Sequence, residues 1–149
     1  MPRRGNLFSF DLREEGDDEL ADEIQEYEAR PVTIDLLRLA HQNLRKLSPD
    51  AYLWFVPHYL KLCLTDEGKY SSFEAEFFVY SLSPAGESDT SIDIRLSALN
   101  ADQIRCIVEV LSWMLTDEFW GVHCPEQIHS ALEFLEKKGA RLGLGVRRD

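Results

Sequence analysis

Apolar residues recur at helical spacings near the start of the chain. Leu20, Ile24 and Tyr27 are separated by four and three residues within a strongly charged stretch, a pattern typical of a surface helix that buries one narrow stripe. We predict this helix over residues 18–29. Arg30-Pro31 should end it, because the residue before a proline is disfavoured in the helical region.

A second amphipathic helix is predicted from residue 34, with Thr33 as its N-cap. Arg45 and Lys46 would lie in its last turn, where positive charge interacts favourably with the helix dipole. Its buried face is predicted from four apolar residues at spacings of three and four: Leu37, Ala40, Leu44 and Leu47.

The third helix has the strongest start signal and is predicted to be central. Ser48 is a preferred cap, Pro49 suits the first helical position, and Asp50 follows in the first turn. Residues 51–64 are apolar on almost every side, which is typical of a helix buried all round. Pro57 lies inside this stretch and removes one backbone hydrogen bond. We therefore expect either one kinked helix or two helices with a break before Pro57.

The pattern of residues 66–97 is less regular. Residues 66–68 (Asp-Glu-Gly) predict a turn, and Ser71 or Ser72 is a candidate cap for a helix through the apolar residues 73–82. Residues 92–96 alternate between apolar and polar types, as a strand does. We favour a helix followed by a loop, and a hairpin over residues 77–97 is the alternative.

Two further helices are predicted in the last third of the chain. Asn100 and Gln103 have the spacing of a capping box, and an aliphatic stripe follows through Leu115. An aromatic loop is predicted over residues 119–121. Pro125 then suits the first position of the last helix, which Gly139 should end.

These elements together predict an all-α protein, a compact bundle of five or six helices around the Pro-containing central helix. We expect residues 1–16 to form a flexible N-terminal arm, residues 17–139 a single helical domain, and residues 140–149 a basic C-terminal tail.

The net negative charge of the chain disfavours some classes of binding partner. The chain has 149 residues, with 16 Lys and Arg against 27 Asp and Glu, a net charge of −11. This balance disfavours binding to nucleic acid or to an anionic membrane surface. Residues 11–28 hold ten carboxylates and one Arg, a net charge of −9, so the rest of the chain carries only −2. A charge run is most often a solvated face; the alternative is a docking surface for a basic protein.

Other sequence features indicate the compartment. Three cysteines, Cys63, Cys106 and Cys124, are an odd number without the spacing of a disulfide framework, which favours a reduced, cytoplasmic protein. Residues 1–10 contain two arginines but no long apolar core, so no secretory signal is predicted. No apolar run has the length of a membrane span.

The candidate partner-binding residues are the carboxylates of the first helix, with Trp120 added because it lies in the predicted aromatic loop and is expected to be exposed. An immunity-type protein that neutralises a basic toxin is one concrete form of this function, since opposite charge speeds association. The predicted contact residues are Asp17, Asp18, Glu19, Asp22, Glu23, Glu26 and Trp120.

An alternative is a small enzyme or redox protein that uses Cys124. This cysteine precedes a helix start, where the dipole would lower the pKa of the thiol, and His123 or His129 is a candidate base. As metal ligands, His123, Cys124 and His129 do not have the spacing of a zinc motif. A fourth ligand would have to come from Cys63, Cys106, His41 or His58. We predict no catalytic residues, no metal and no cofactor.

Two segments resemble an uncharacterised bacterial family known only as a domain of unknown function. Residues 47–60, LSPDAYLWFVPHYL, are similar to its signature of approximately LSPEAFRYYLPAYL, and residues 99–103, LNADQ, are similar to its second motif of approximately LTPEQ. The resemblance covers residues 31–115. It implies a helical fold and a bacterial cytosolic protein, and it implies no activity and no functional residues.

Overall fold

The structure is a computed structural model that describes residues 1–9, 14–84 and 88–141. Within these residues the fold is all-α, as predicted, with a short 3-10 turn at Arg4–Asn6 and a longer 3-10 segment at His41–Lys46. The α-helices in chain order are α1 (Asp17–Gln25), α2 (Ile34–Ala40), α3 (Pro49–Cys63), α4 (Asp66–Tyr70), α5 (Glu74–Leu82), α6 (Asp89–Arg95), α7 (Ala101–Thr116), α8 (Trp120–His123) and α9 (Pro125–Arg141). None of them is long and apolar enough to cross a lipid bilayer.

Helix α3 is the centre of the bundle and contacts α2, α4, α5, α6 and α7. The hydroxyl oxygen of Ser48 accepts a hydrogen bond from the backbone N–H of Ala51 at 3.2 Å, as the predicted cap requires. Of the two alternatives at Pro57, the single helix is observed, since α3 is continuous through this residue. Pro57 is exposed, while Phe55 and Tyr59 on the buried side hold the helix in the core.

Helices α5 and α6 occupy residues 74–82 and 89–95, so the hairpin alternative is wrong, and residues 89–95, which we expected to lie in a loop, are helical. Ser88 caps α6 by accepting a hydrogen bond from the N–H of Ser91 at 3.2 Å. Ile92 and Leu96, four residues apart, are both fully buried, and Ile94 is exposed. The same residues that alternate along the sequence therefore also fit one face of a helix.

Several predicted boundaries differ from the structure. Helix α5 begins after Phe73 without a side-chain cap, so the predicted Ser71 or Ser72 cap is wrong. Residues 66–68 lie in helix α4 rather than in a turn. Helix α1 ends at Gln25, before the predicted residue 29, and begins after Gly16, whose φ of 90° is a conformation that glycine adopts without strain.

Residues 7–9, part of the segment 1–16 that we expected to form a flexible arm, pack against the domain. Leu7 and Phe8 are buried, and Phe8 forms an isolated antiparallel bridge with Leu47. The N–H of Ser9 donates to the carbonyl of Lys46, and the N–H of Ser48 donates to the carbonyl of Leu7, both at 2.9 Å.

The last third of the chain closes the bundle through α7 and α9, which pack against each other. The predicted capping box of α7 is confirmed: Asn100 and Gln103 bond each other's backbone N–H groups at 2.8 and 2.9 Å. Helix α9 begins at Pro125 as predicted but continues past Gly139 to Arg141. Residues 142–149 of the predicted basic tail lie outside the described residues.

Candidate functional site

Five of the six acidic residues predicted to contact a partner are exposed on α1 and at its end. The helix packs against the body of the protein through Ala21 and Ile24, which are buried, so the carboxylates extend into solvent. We call this set the acidic face; it consists of Asp18, Glu19, Asp22, Glu23 and Glu26.

Asp17 is the exception, because it is buried and acts as an anchor for α1. Its two carboxylate oxygens lie 2.9 and 3.2 Å from the Nζ of Lys46, and one accepts the backbone N–H of Glu14 at 2.7 Å. Burial lowers the pKa of Lys46, but the hydrogen bonds to Glu14 and Asp17 outweigh this effect, and the pKa is raised above its ordinary value. Asp17 therefore faces the protein rather than a partner.

The expectation that Trp120 is exposed is wrong, since only 1% of the residue is accessible to solvent. Its indole N–H donates to the carbonyl of Cys63 at the end of α3, at 3.0 Å. The predicted loop is instead the short helix α8, which starts where the carboxylate of Asp117 accepts the N–H groups of Phe119 and Trp120 at 3.0 and 3.2 Å. This cap turns the chain so that the indole enters the core.

Cys124 does not have the environment of a reactive thiol. The residue is buried, and burial, followed by the negative charge of Glu76, raises the pKa of the thiol to about 11. The thiol is therefore protonated at neutral pH, whereas a helix N-terminus alone would favour the thiolate. The neighbouring His123 bonds elsewhere, with its Nε2 at 3.0 Å from Oε2 of Glu76.

The other candidates for metal or redox chemistry are dispersed. Cys63 is buried and burial raises the pKa of its thiol to about 12, whereas Cys106 is exposed. His129 is exposed on α9. No group of three or more His, Cys, Asp or Glu side chains suited to hold a metal ion occurs in residues 1–9, 14–84 and 88–141.

The structure also contains a cavity that the sequence patterns did not indicate. It has a volume of about 220 Å³ and lies between the α4–α5 connection and α8. Tyr70 and Phe73, 69% and 70% exposed, form its outer rim, and Phe119 and Trp120 lie deeper. We call this site the aromatic cavity.

The rings of the aromatic cavity meet at steep angles rather than in one stack. Tyr70 contacts Phe119 edge-on, with ring centroids 5.1 Å apart, and Phe119 contacts Trp120 edge-on at 4.9 Å. One face of Phe119 is covered by the imidazole of His123, stacked at 4.9 Å. Edge-to-face contacts of this kind are favourable and fix the rings relative to one another.

Glu76 is the carboxylate of the aromatic cavity. Its Oε2 bonds His123, and its Oε1 accepts a hydrogen bond from the hydroxyl of Tyr80. Burial and the hydrogen bond to Glu76 raise the pKa of the Tyr80 hydroxyl far above its usual range, so Tyr80 remains a donor. The carboxylate is thus held in position by one partner on each oxygen, and each oxygen can accept a further hydrogen bond.

Lys69 also lines the cavity, but an ion pair engages its charge. Its Nζ lies 2.7 Å from the carboxylate of Asp117 and 5.4 Å from the centroid of the Trp113 ring. Burial raises the pKa of Asp117, but the bonds from Lys69 and from the Trp120 and Phe119 N–H groups outweigh burial and hold the pKa below its usual range. The pair joins α4 to the start of α8 and fixes both sides of the cavity.

Sequence reasoning missed this cavity because its sides are about fifty residues apart in the chain. Trp120 was predicted as an exposed partner contact and His123 as a candidate base, but no local spacing connects them to Tyr70, Phe73 and Glu76. The one available signal was the group of aromatic residues around the Ser-Ser pair at 71–72.

Comparison with protein-family models, with curated proteins and with solved structures finds no match. The similarity of residues 47–60 and 99–103 to a family signature therefore stays a prediction.

Proposed function

We propose that this protein is a protein-binding module that docks a basic partner through the acidic face of α1. The observation that carries the proposal is that α1 has one buried side, which packs against the protein, and one exposed side, which is acidic. Ala21, Ile24 and Asp17 hold α1 to the body of the protein, while the five carboxylates of the acidic face are exposed.

Neighbouring carboxylates of the acidic face repel one another, which supports a role in binding, while Asp18 and Glu19 in the first turn also interact favourably with the helix dipole. Asp18 and Asp22, Glu19 and Glu23, and Asp22 and Glu26 have the i,i+4 spacing. Like charges at this spacing destabilise a helix by about 0.2–0.5 kcal/mol per pair. A basic partner would relieve this repulsion on binding, so the repulsion itself contributes to affinity.

The acidic face would act mainly on the rate of association. A concentrated field of one sign attracts an oppositely charged protein over roughly 10 Å at moderate salt, and such steering raises association rates above those of neutral surfaces. An immunity-type protein directed against a basic toxin remains one concrete form of this function. No observation favours the alternative of an enzyme or redox protein using Cys124, whose thiol is buried and protonated at neutral pH.

The test is capture of a partner from a lysate of the native host by three immobilised proteins. The first is the wild type. In the second, four carboxylates of the acidic face are replaced by lysine: Asp18, Glu19, Asp22 and Glu23. In the control, four exposed carboxylates elsewhere are replaced by lysine, for the same change in net charge: Glu109, Glu126, Glu133 and Glu136.

We expect one basic protein to be retained by the wild type and by the control, and to be lost in about 0.5 M salt, where the Debye length falls well below 10 Å. The acidic-face variant should not retain it. Equal capture by both lysine variants would refute docking through α1. Circular dichroism spectra of the three proteins should coincide, because all eight replaced side chains are exposed.

A further inference from the structure

The aromatic cavity has the chemistry of a cation site, and two observations support this. Its outer rim presents the rings of Tyr70 and Phe73, each about two thirds exposed. Its wall includes the carboxylate of Glu76, whose side chain is only 18% exposed. Aromatic faces attract a cation within about 6 Å through the ring quadrupole, and more strongly where water is excluded.

The positive groups around the cavity do not oppose a cation. Lys69 is engaged by Asp117 at 2.7 Å. The Nε2 atom of His123 lies 3.0 Å from Oε2 of Glu76, so this ring nitrogen faces the carboxylate rather than the cavity. The negative charge of Asp66 also acts on Lys69. Among the described residues, Lys69 is thus outnumbered by Glu76, Asp117 and Asp66, and the charge of this group is negative.

We propose that the aromatic cavity receives an arginine side chain of the basic partner, with the guanidinium stacked on the rings of Tyr70 and Phe73 and hydrogen-bonded to Glu76. This inference rests on the proposed function for the identity of the partner, since a basic protein supplies arginine. A guanidinium fits the site better than an ammonium, because it is planar, stacks on rings and presents several N–H donors in one plane.

The cavity and the acidic face then have different roles in one interface. The acidic face acts at long range and is sensitive to salt. The aromatic cavity acts at contact, and buried aromatic and arginine groups are the typical anchors of protein interfaces. Loss of the cavity should therefore speed dissociation, while loss of the acidic face should slow association.

The experiment is a titration of the full ¹⁵N-labelled chain with N-acetyl-arginine amide, followed through the indole N–H signals of the three tryptophans. N-acetyl-citrulline amide, which has nearly the same shape without the charge, is the matched control ligand. We expect saturable shifts of the Trp120 indole with the arginine compound, with a dissociation constant on the order of 10 mM for so small a ligand. Trp54, which lies on α3 outside the cavity, should not shift.

Three variants test whether the arginine compound binds in the aromatic cavity. Glu76→Gln removes the charge and keeps the size of the side chain, and should weaken binding about tenfold. Tyr70→Ala removes an exposed ring and should weaken it about threefold. Ile94→Ala is the control, since Ile94 is a large apolar residue that is 56% exposed on α6, outside the cavity.

Several outcomes would overturn the inference. Equal shifts with the citrulline compound would mean that charge is not recognised, and shifts with inorganic phosphate instead would mean an anion site. Shifts that grow with protein concentration alone would mean that Tyr70 and Phe73 are covered by a second copy of the chain.

The capture experiment separates failure of this inference from failure of the proposed function. If the arginine compound does not bind but capture still depends on the acidic face, only the cavity proposal fails. If the arginine compound binds and Glu76→Gln weakens it, but no basic protein is captured, only the docking proposal fails.

Discussion

Gly68 offers a sharp test of the packing beneath the aromatic cavity. This glycine is buried in α4, and a Cβ added there would lie 1.9 Å from the carbonyl oxygen and 2.8 Å from the carbonyl carbon of Leu62 in α3. Replacing glycine with alanine in an open helix stabilises it by about 1 kcal/mol. Overpacking costs about 1–3 kcal/mol, and more where the obstructing atom is backbone that cannot rotate away.

We therefore expect Gly68→Ala to lower the free energy of unfolding by about 2 kcal/mol, because the steric cost exceeds the gain in helix propensity. For a chain of this size, that corresponds to a decrease in Tm of about 4–8 °C. The assay is thermal and urea unfolding followed by circular dichroism. Gly5→Ala is the matched control, since an added Cβ there meets no atom within 4 Å.

A Gly68→Ala protein as stable as the wild type, or more stable, would refute this reasoning. It would mean that α4 can move away from the end of α3 at little cost. Tyr70 lies two residues further along α4, so such a movement would also displace this rim of the cavity.

Three further predictions concern single side chains. Asp17→Asn removes a buried ion pair and should lower the free energy of unfolding by about 1–3 kcal/mol, whereas exposed Asp18→Asn should change it by less than about 0.5 kcal/mol; urea unfolding measures both. Because its pKa is lowered in the folded state, Asp117 stabilises the fold above about pH 4, and this contribution is lost as the pH falls below that value. Unfolding of Asp117→Asn should therefore depend less on pH between about 2 and 5 than that of the wild type. In the native state a maleimide should label exposed Cys106 quickly and buried Cys124 slowly, and fast labelling at Cys124 would contradict the raised pKa of its thiol.

Local signals in the sequence were sufficient for much of the fold. Ser48 followed by Pro49 predicted the start of α3, and Asn100 with Gln103 predicted the start of α7, because a cap needs only residues within one turn. At residues 92–96 the alternating pattern left a loop and a strand as the alternatives, and the helix α6 that the structure has there was not predicted. Tertiary packing decides such cases.

The candidate sites depend on contacts that a sequence pattern does not contain. Trp120 was expected to be exposed because it lies in a predicted aromatic loop, but its indole N–H donates to the carbonyl of Cys63, far earlier in the chain. Lys69 and Asp117, which fix the cavity, are likewise distant in sequence. The acidic face was accessible to sequence reasoning because charge density is a local property, and only the inward position of Asp17 was missed.

The packing of Leu7 and Phe8 against Leu47 has a consequence for synthesis of the chain. The two residues emerge from the ribosome about forty residues of synthesis earlier than Leu47 does. At about 5–20 residues per second, the intervening forty residues take about 2–8 s to translate. Throughout this interval two large apolar side chains near the amino terminus have no native site to occupy. In the nascent chain, Leu7 and Phe8 are therefore accessible to a co-translational chaperone, whereas in the folded protein they are buried.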